Sequence, residues 1–390
     1  MRIGIVGLGA RSHAYVDRIL KNPKFRDHKI VAICDTDPER LRNYSQFYFS
    51  NENCLPKCYT DWNELIADPK IEGVIITTPD NAHMEIVLEA IEKNKHIILE
   101  KPIEASIERA TEIYRAGKNY NKTLMLGFVL RYAPFFVEVK KIIDSGELGE
   151  IISVGESENL SNEHSASYFR RWHRFRECSG GMMNTKCCHD IDLLNHLLGS
   201  RAERLASFGS NAVYVPHPDA AEHCCDCKLK DSCIYSFNYK NYGSPTNWDC
   251  QKDICVYNSE KEVFDRQMLL MEYGGGIPVT LELSMFSGEE TRKIRISGTK
   301  AVLEGVSRDG VINIKPLDRS VPVRRIEIPA GESGHGGGDD GLLSRFFESS
   351  NGHSPINDVK AGYIATVTAV CSELSANEKR TLLLEDYLIE

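Results

Sequence analysis

The sequence predicts an α/β domain with a parallel sheet, followed by an α+β domain built on a large, mostly antiparallel open sheet. Over residues 1–128, short runs rich in Val and Ile alternate with amphipathic helical patterns, an order that makes a parallel sheet with right-handed crossovers. Beyond residue 128, alternating apolar and polar runs crowd together with few helices between them, which reads as one broad antiparallel sheet. A chain of 390 residues can bury at least one large core and most often divides into two domains.

In the first domain, residues 1–128, the β-like runs are 2–6, 30–34, 73–77, 96–99 and 123–128. Their continuous apolar character fits a sheet covered on both faces. The helical pattern at 81–93 puts Ile86, Val87, Ala90 and Ile91 on one face, with Asp80 placed to cap its start. The second domain, residues 129–390, carries β-like runs at 151–156, 204–207, 267–273, 278–285, 292–297, 301–304, 311–314 and 323–328. A helix at 188–198 interrupts them early, and helical patterns at 341–348 and 359–376 close the chain. An insertion at 223–261, rich in Cys, Asn and Tyr, reads as irregular.

Bulk properties exclude several classes. A net charge of −9 without a Lys/Arg tract argues against nucleic acid as a partner. No apolar run approaches the roughly 18–20 residues of a membrane span. The first residues enter a strand at once, without the pattern of a secretory signal, so a cytoplasmic protein is expected. The 13 cysteines then read as buried thiols or metal ligands before disulfides.

Gly7-Leu8-Gly9-Ala10-Arg11-Ser12 follows the first strand and opens a helix. Two glycines permit a tight turn and close backbone approach to a pyrophosphate seated on the helix N-terminus. Ser12 replaces the third glycine of this fingerprint and is small enough for helix and strand to pack. The second strand ends in Asp35, where a carboxylate would accept from the adenosine ribose hydroxyls and repel a 2′-phosphate. A Rossmann domain binding NAD is expected. Arg11, a guanidinium beside that site, keeps NADP open.

Further along stand Thr77-Thr78-Pro79 with His83, Glu100-Lys101-Pro102, Leu130-Arg131-Tyr132, and Gly180-Gly181 leading to His189 and Asp192. With these motifs the chain resembles the glucose–fructose oxidoreductase/inositol dehydrogenase (Gfo/Idh/MocA) family over almost its whole length. The resemblance implies oxidation or reduction of a secondary alcohol on a sugar, polyol or glycoside, with the substrate against the large sheet. It adds Thr77, Thr78, Pro79, His83, Glu100 and Lys101 to the cofactor site. Lys101, at the carboxyl end of a parallel strand, can stabilise the alkoxide that develops as hydride leaves. His189 opens a helix and suits removal of the hydroxyl proton. Many relatives carry an Asp four residues before this histidine; here the position is Thr185, followed by Lys186. Lys186 reads as a second catalytic cation or as a solvated side chain, and with Thr185 it favours a glycoside over a free polyol such as inositol. Arg131 and Tyr132 would shape the substrate pocket.

Three segments keep two readings each. Arg170-Arg171-Trp172-His173-Arg174 could face a sugar ring or form a surface loop. Gly334-His335-Gly336-Gly337-Gly338-Asp339-Asp340 could be a lid bringing His335 to the substrate, or a loop with a helix cap. Cys224, Cys227 and Cys233, with Cys255 as preferred fourth ligand and Cys250 or His223 as alternatives, have spacing for structural zinc, against free thiols as the other reading. Two other functions stay open: a glycoside-cleaving enzyme that recycles tightly held NAD through a keto intermediate, and a non-enzymatic sugar-sensing regulator. Lys101 and His189 together speak against the sensor. A homodimer or homotetramer is expected.

Overall fold

The computed structural model describes residues 1–50, 55–237, 253–329, 335–350 and 355–389. The chain divides into two compact units. Among the described residues the first takes 1–50, 55–127, 339–350 and 355–363; the second takes 128–237, 253–329, 335–338 and 364–389. The sequence reading assigned all of 129–390 to the second domain; the structure returns Asp339–Tyr363 to the first unit.

The first unit is built on six strands: β1 (Arg2–Val6), β2 (Lys29–Cys34), β3 (Lys57–Tyr59), β4 (Gly73–Ile76), β5 (His96–Leu99) and β6 (Leu124–Leu126). They run parallel in the order β3-β2-β1-β4-β5-β6. β1 is buried from Ile3 to Val6 and β4 throughout, as apolar runs covered on both faces must be. Strand order reverses at β1, with β2 on one side and β4 on the other, so the carboxyl ends there form a ligand crevice. β3 is a three-residue edge strand that the sequence reading did not contain. The returning segment closes the other edge: Leu124 and Asp358 exchange backbone bonds with Ile356 and Leu124. Phe347 stacks on His28 at 3.6 Å between ring centroids. Asp80 does not cap the fourth helix. It lies in a 3-10 turn, Asp80–Ala82, and the α-helix starts at His83 without a side-chain cap.

The second unit carries β7 (Ile151–Ser161), β8 (Ala202–Ser210), β9 (Arg266–Tyr273), β10 (Ile277–Ser287), β11 (Thr291–Gly298), β12 (Ala301–Val306), β13 (Val311–Pro316), β14 (Arg324–Glu327) and β15 (Leu382–Leu383). Their order is β14-β13-β12-β11-β7-β10-β9-β8-β15. All pairs are antiparallel except β7 with β10. β7 sits at the centre and runs five residues beyond the expected 151–156, to Ser161. Its alternation buries Val154, Glu156, Glu158 and Leu160 on one face, so two carboxylates share a row with apolar side chains.

Candidate active site

In the first unit, the carboxyl ends of β1, β2, β4 and β5 gather Gly7, Asp35, Thr77 and Glu100 on one edge of the sheet. Gly7 has φ +87°, and a Cβ there would lie 2.8–2.9 Å from the Thr77–Thr78 backbone, so only glycine fits. Gly9 differs, because a Cβ there would meet nothing within 4 Å. The open space lies at the start of helix Ala10–Lys21, which has no side-chain cap and no acidic residue in its first turn. Such a turn is a cradle for a phosphate. Ser12 is fully buried, its hydroxyl donating to the Gly9 carbonyl at 2.7 Å and accepting from Tyr44 at 2.9 Å.

Asp35 is aimed by two backbone donors, Leu8 N–H at 2.9 Å and Asp37 N–H at 3.0 Å. Arg40, which the sequence reading missed, donates to both of its oxygens at 3.3 Å. Arg11 is engaged elsewhere, donating to Glu100 at 2.5 Å and to Asp339 at 2.6 Å. The guanidinium beside the Asp35 carboxylate is therefore that of Arg40, not that of Arg11. Burial opposes charge on Glu100, but Arg11, the Tyr15 hydroxyl and Lys101 outweigh it and hold the carboxyl below its usual range. Lys101 follows directly, its N–H donating to Glu100 at 3.1 Å. Thr77 donates its hydroxyl to Gly7 O at 2.5 Å. Pro79 precedes the Asp80–Ala82 turn. The His83 ring nitrogens lie 3.0 Å from Pro102 O and 3.2 Å from Thr78 O. Burial pushes His83 down to about 4, so the neutral ring donates to one of these carbonyls and ties the two loops together. This residue set fits a dinucleotide.

In the second unit, His189 lies buried in the first turn of helix Cys188–Leu198. Two arginines pin that helix. Arg131 donates to Asp192 at 2.7 and 2.5 Å, and Arg292 of β11 donates to Asp190 at 2.5 Å. The His189 ring meets Phe128 edge-on at 6.3 Å and lies 5.8 Å from the His335 ring. Tyr132 ends the 3-10 turn Val129–Tyr132 beside Arg131, and Thr185 is buried at the end of helix Met182–Thr185.

Lys186 is neither solvated nor a surplus cation. It is buried with its Nζ 2.9 Å from Glu158, and Arg292 Nε lies 2.9 Å from the same carboxylate. Burial raises both Glu156 and Glu158. Glu158 lies between two cations, whereas Glu156 faces Asp190. Lys186 and Arg292 are matched in number by the Glu158 and Asp190 carboxyls they contact, so Lys186 is not a cation left over for substrate. The preference for a glycoside, so far as it rested on positive charge at Lys186, loses that ground. The signal for Glu156 and Glu158 was present in the period-2 pattern of β7.

The cationic run also has another use. Arg170 donates to the Ile254 carbonyl at 3.1 Å and to the Tyr235 carbonyl; Arg174 donates to Glu260 O at 3.0 Å. Both are buried, so they hold the insertion and do not line a sugar site. Trp172 stacks on His173 at 3.7 Å. Residues 238–252 of the insertion and Gly334 lie outside the described residues. Asp339, expected in a loop, is buried against Arg11 and Arg18.

The zinc expectation is corrected. Cys224, Cys227, Cys233 and Cys255 line one small pocket, but among the described residues no group of three or more His, Cys, Asp or Glu is arranged to hold a metal ion. The described cysteines are free thiols. Arg170 and the ring contacts Tyr214–Tyr235 and Tyr235–Tyr257, at 5.1 and 5.7 Å, order the insertion instead.

Comparison with protein families matches residues 1–128 to the oxidoreductase family's NAD-binding Rossmann fold and residues 140–384 to its C-terminal alpha/beta domain. The chain belongs to the Gfo/Idh/MocA oxidoreductase family. It is similar to the putative oxidoreductase YteT of Bacillus subtilis, 26% identical over 375 residues that cover 87% of each chain. The myo-inositol 2-dehydrogenase of Thermotoga maritima is 27% identical over 214 residues, 55% of this chain and 59% of that one. Among solved structures, levoglucosan dehydrogenase in complex with NADH and levoglucosan shares the fold with TM-score 0.77 at 20% identity, covering 98% of this chain and 99% of that one. This Gfo/Idh/MocA protein is thus an oxidoreductase with a nicotinamide-binding Rossmann domain. Among the described residues no helix is long and apolar enough to cross a membrane.

Proposed function

We propose that this Gfo/Idh/MocA oxidoreductase transfers hydride between NAD and a secondary alcohol of a sugar, polyol or glycoside. The observation that carries the reading is the open cradle at Gly9, flanked on the same sheet edge by the aimed Asp35 carboxylate and by Lys101 after β5. NAD, when bound, supplies the hydride acceptor. The Gly7–Ala10 turn seats its pyrophosphate, and Asp35 accepts from the ribose hydroxyls. The Lys101 ammonium donates to the substrate oxygen and stabilises the alkoxide as the hydride departs. His189 accepts the hydroxyl proton. Asp192 and Asp190, held by Arg131 and Arg292, fix the helix that presents His189. The names of relatives, inositol 2-dehydrogenase and levoglucosan dehydrogenase, support a polyhydroxylated ring as substrate class. The test is a panel of polyols, sugars and glycosides with NAD and with NADP, followed by nicotinamide absorbance. Reduction by at least one ring alcohol with NAD is expected. Tight NAD binding with no reduction across the panel would overturn the reading.

A further inference from the structure

The second unit holds a cavity of about 250 Å³. That approaches the roughly 300–1,000 Å³ of small-molecule pockets, room for a ring and not only for a substituent arm. One wall is apolar, with Pro134, Phe135 and Phe136. Gly305 on β12 makes space for it, because a Cβ there would lie 2.7 Å from the tip of Phe135. The polar side carries Glu158 and Glu290 against Arg292 and Arg308, two carboxylates and two guanidiniums that sum to zero. Glu158 is 1% exposed and Arg292 12%, so charge is deliberately held at the cavity wall within the buried network. Paired acceptors and donors suit hydroxyls, which do both, and offer a phosphate or carboxylate no net charge to offset the cost of desolvating it. An aromatic wall opposite suits the apolar face of a sugar ring. His335 borders the cavity, and its ring lies 5.8 Å from that of His189. The space is thus separated from His189 by no more than the His335 ring pair.

We propose that this cavity is a subsite for a second, uncharged ring of the substrate, which makes the substrate a neutral disaccharide or glycoside. The ring that reacts lies at His189; its neighbour stacks on Phe135 and Phe136 and hydrogen-bonds Glu158 and Arg292. The proposal rests on the hydride-transfer reading above.

Calorimetry tests it with matched probes: glucose, galactose and mannose, a β-linked disaccharide of each, and each 6-phosphate, on NAD-loaded protein. In at least one series the disaccharide should bind ten-fold or more tightly than its monosaccharide, and the phosphate more weakly. Gly305→Val, which drives Phe135 into the cavity, should erase that advantage while monosaccharide binding stays within two-fold. Should Gly305→Val not fold, Arg308→Ala at the rim should cut the advantage at least three-fold. No preference in any series, or a preference that survives the folded variant, overturns the subsite. Nicotinamide absorbance recorded in parallel separates the two claims. A disaccharide advantage without reduction sinks the hydride reading alone; reduction of monosaccharides without a disaccharide advantage sinks the subsite alone.

Discussion

Replacing Lys186 with Met should unbalance the buried network of the second unit. The side chains of Lys186 and Glu158 are 9% and 1% exposed, so water cannot take the place of the lost ammonium. Glu158 would be left with Arg292 alone, and Arg292 already serves Asp190 at 2.5 Å. Removing one partner of such a buried pair costs about 3–5 kcal/mol. The double variant Lys186→Met/Glu158→Gln removes one charge of each sign, leaving Arg292 against Asp190. It should therefore be clearly less destabilised than the sum of the two single variants, a coupling of up to about 3 kcal/mol in a double-mutant cycle. Urea unfolding of the four proteins measures this, and NAD affinity by calorimetry should stay within two-fold because no residue of the Gly7 turn is touched. A single variant within about 0.5 kcal/mol of the parent, or a cycle without coupling, would show that the charge balance does not hold this site together.

Three further outcomes follow from the same geometry. Asp35→Ser removes a charged acceptor contributing about 1.5–3 kcal/mol, so NAD affinity should fall roughly 10- to 100-fold. NADP affinity should rise as Arg40 leaves its 3.3 Å contacts; an unchanged preference by calorimetry contradicts this. Glu373 is buried, which raises its carboxyl to about 7 despite Arg176 and the nearby Met182 and Met183 N–H groups. A folded value above the unfolded one means its contribution is complete below about pH 4.5 and lost as pH rises through about 7. Glu373→Gln should therefore flatten that slope and raise stability at pH 8 by up to roughly 3 kcal/mol, and an unchanged slope in urea titrations at several pH values would refute it. Phe208 is 74% exposed, opposite Met268 and near Leu270 on the outer sheet face; we propose that this face carries the expected self-association, so Phe208→Asp should give a lower mass than the parent in light scattering, and an unchanged mass refutes it.

The parallel sheet was legible because its strands are continuous apolar runs, and its carboxyl edge because Gly7 and Asp35 directly follow β1 and β2, Gly9 caps the helix behind β1, and Glu100-Lys101 follow β5. Local signals of that kind survive folding. Arg11 was misread because its partner, Asp339, lies 328 residues away, and no local pattern announces such a contact. Arg170 and Arg174 were misread for a related reason: carbonyls of the insertion absorb their donors. The Cys224, Cys227, Cys233 spacing announced ligands, yet arginine and tyrosine contacts set the geometry there. Lys186 looked exposed because β7 was ended at residue 156, which hid Glu158. Had the alternation been followed to Leu160, two glutamates on an apolar face would have asked for cations.

The most direct measurement is single-turnover nicotinamide reduction by the wild-type protein and by Lys101→Ala and His189→Ala, using the best ring alcohol from the substrate panel. Each variant should lose roughly 10²–10⁴-fold in rate, while NAD affinity stays within about three-fold because neither side chain seats the pyrophosphate. Near-wild-type reduction in Lys101→Ala, or a loss explained by weaker NAD binding, would contradict hydride transfer organised around the end of β5.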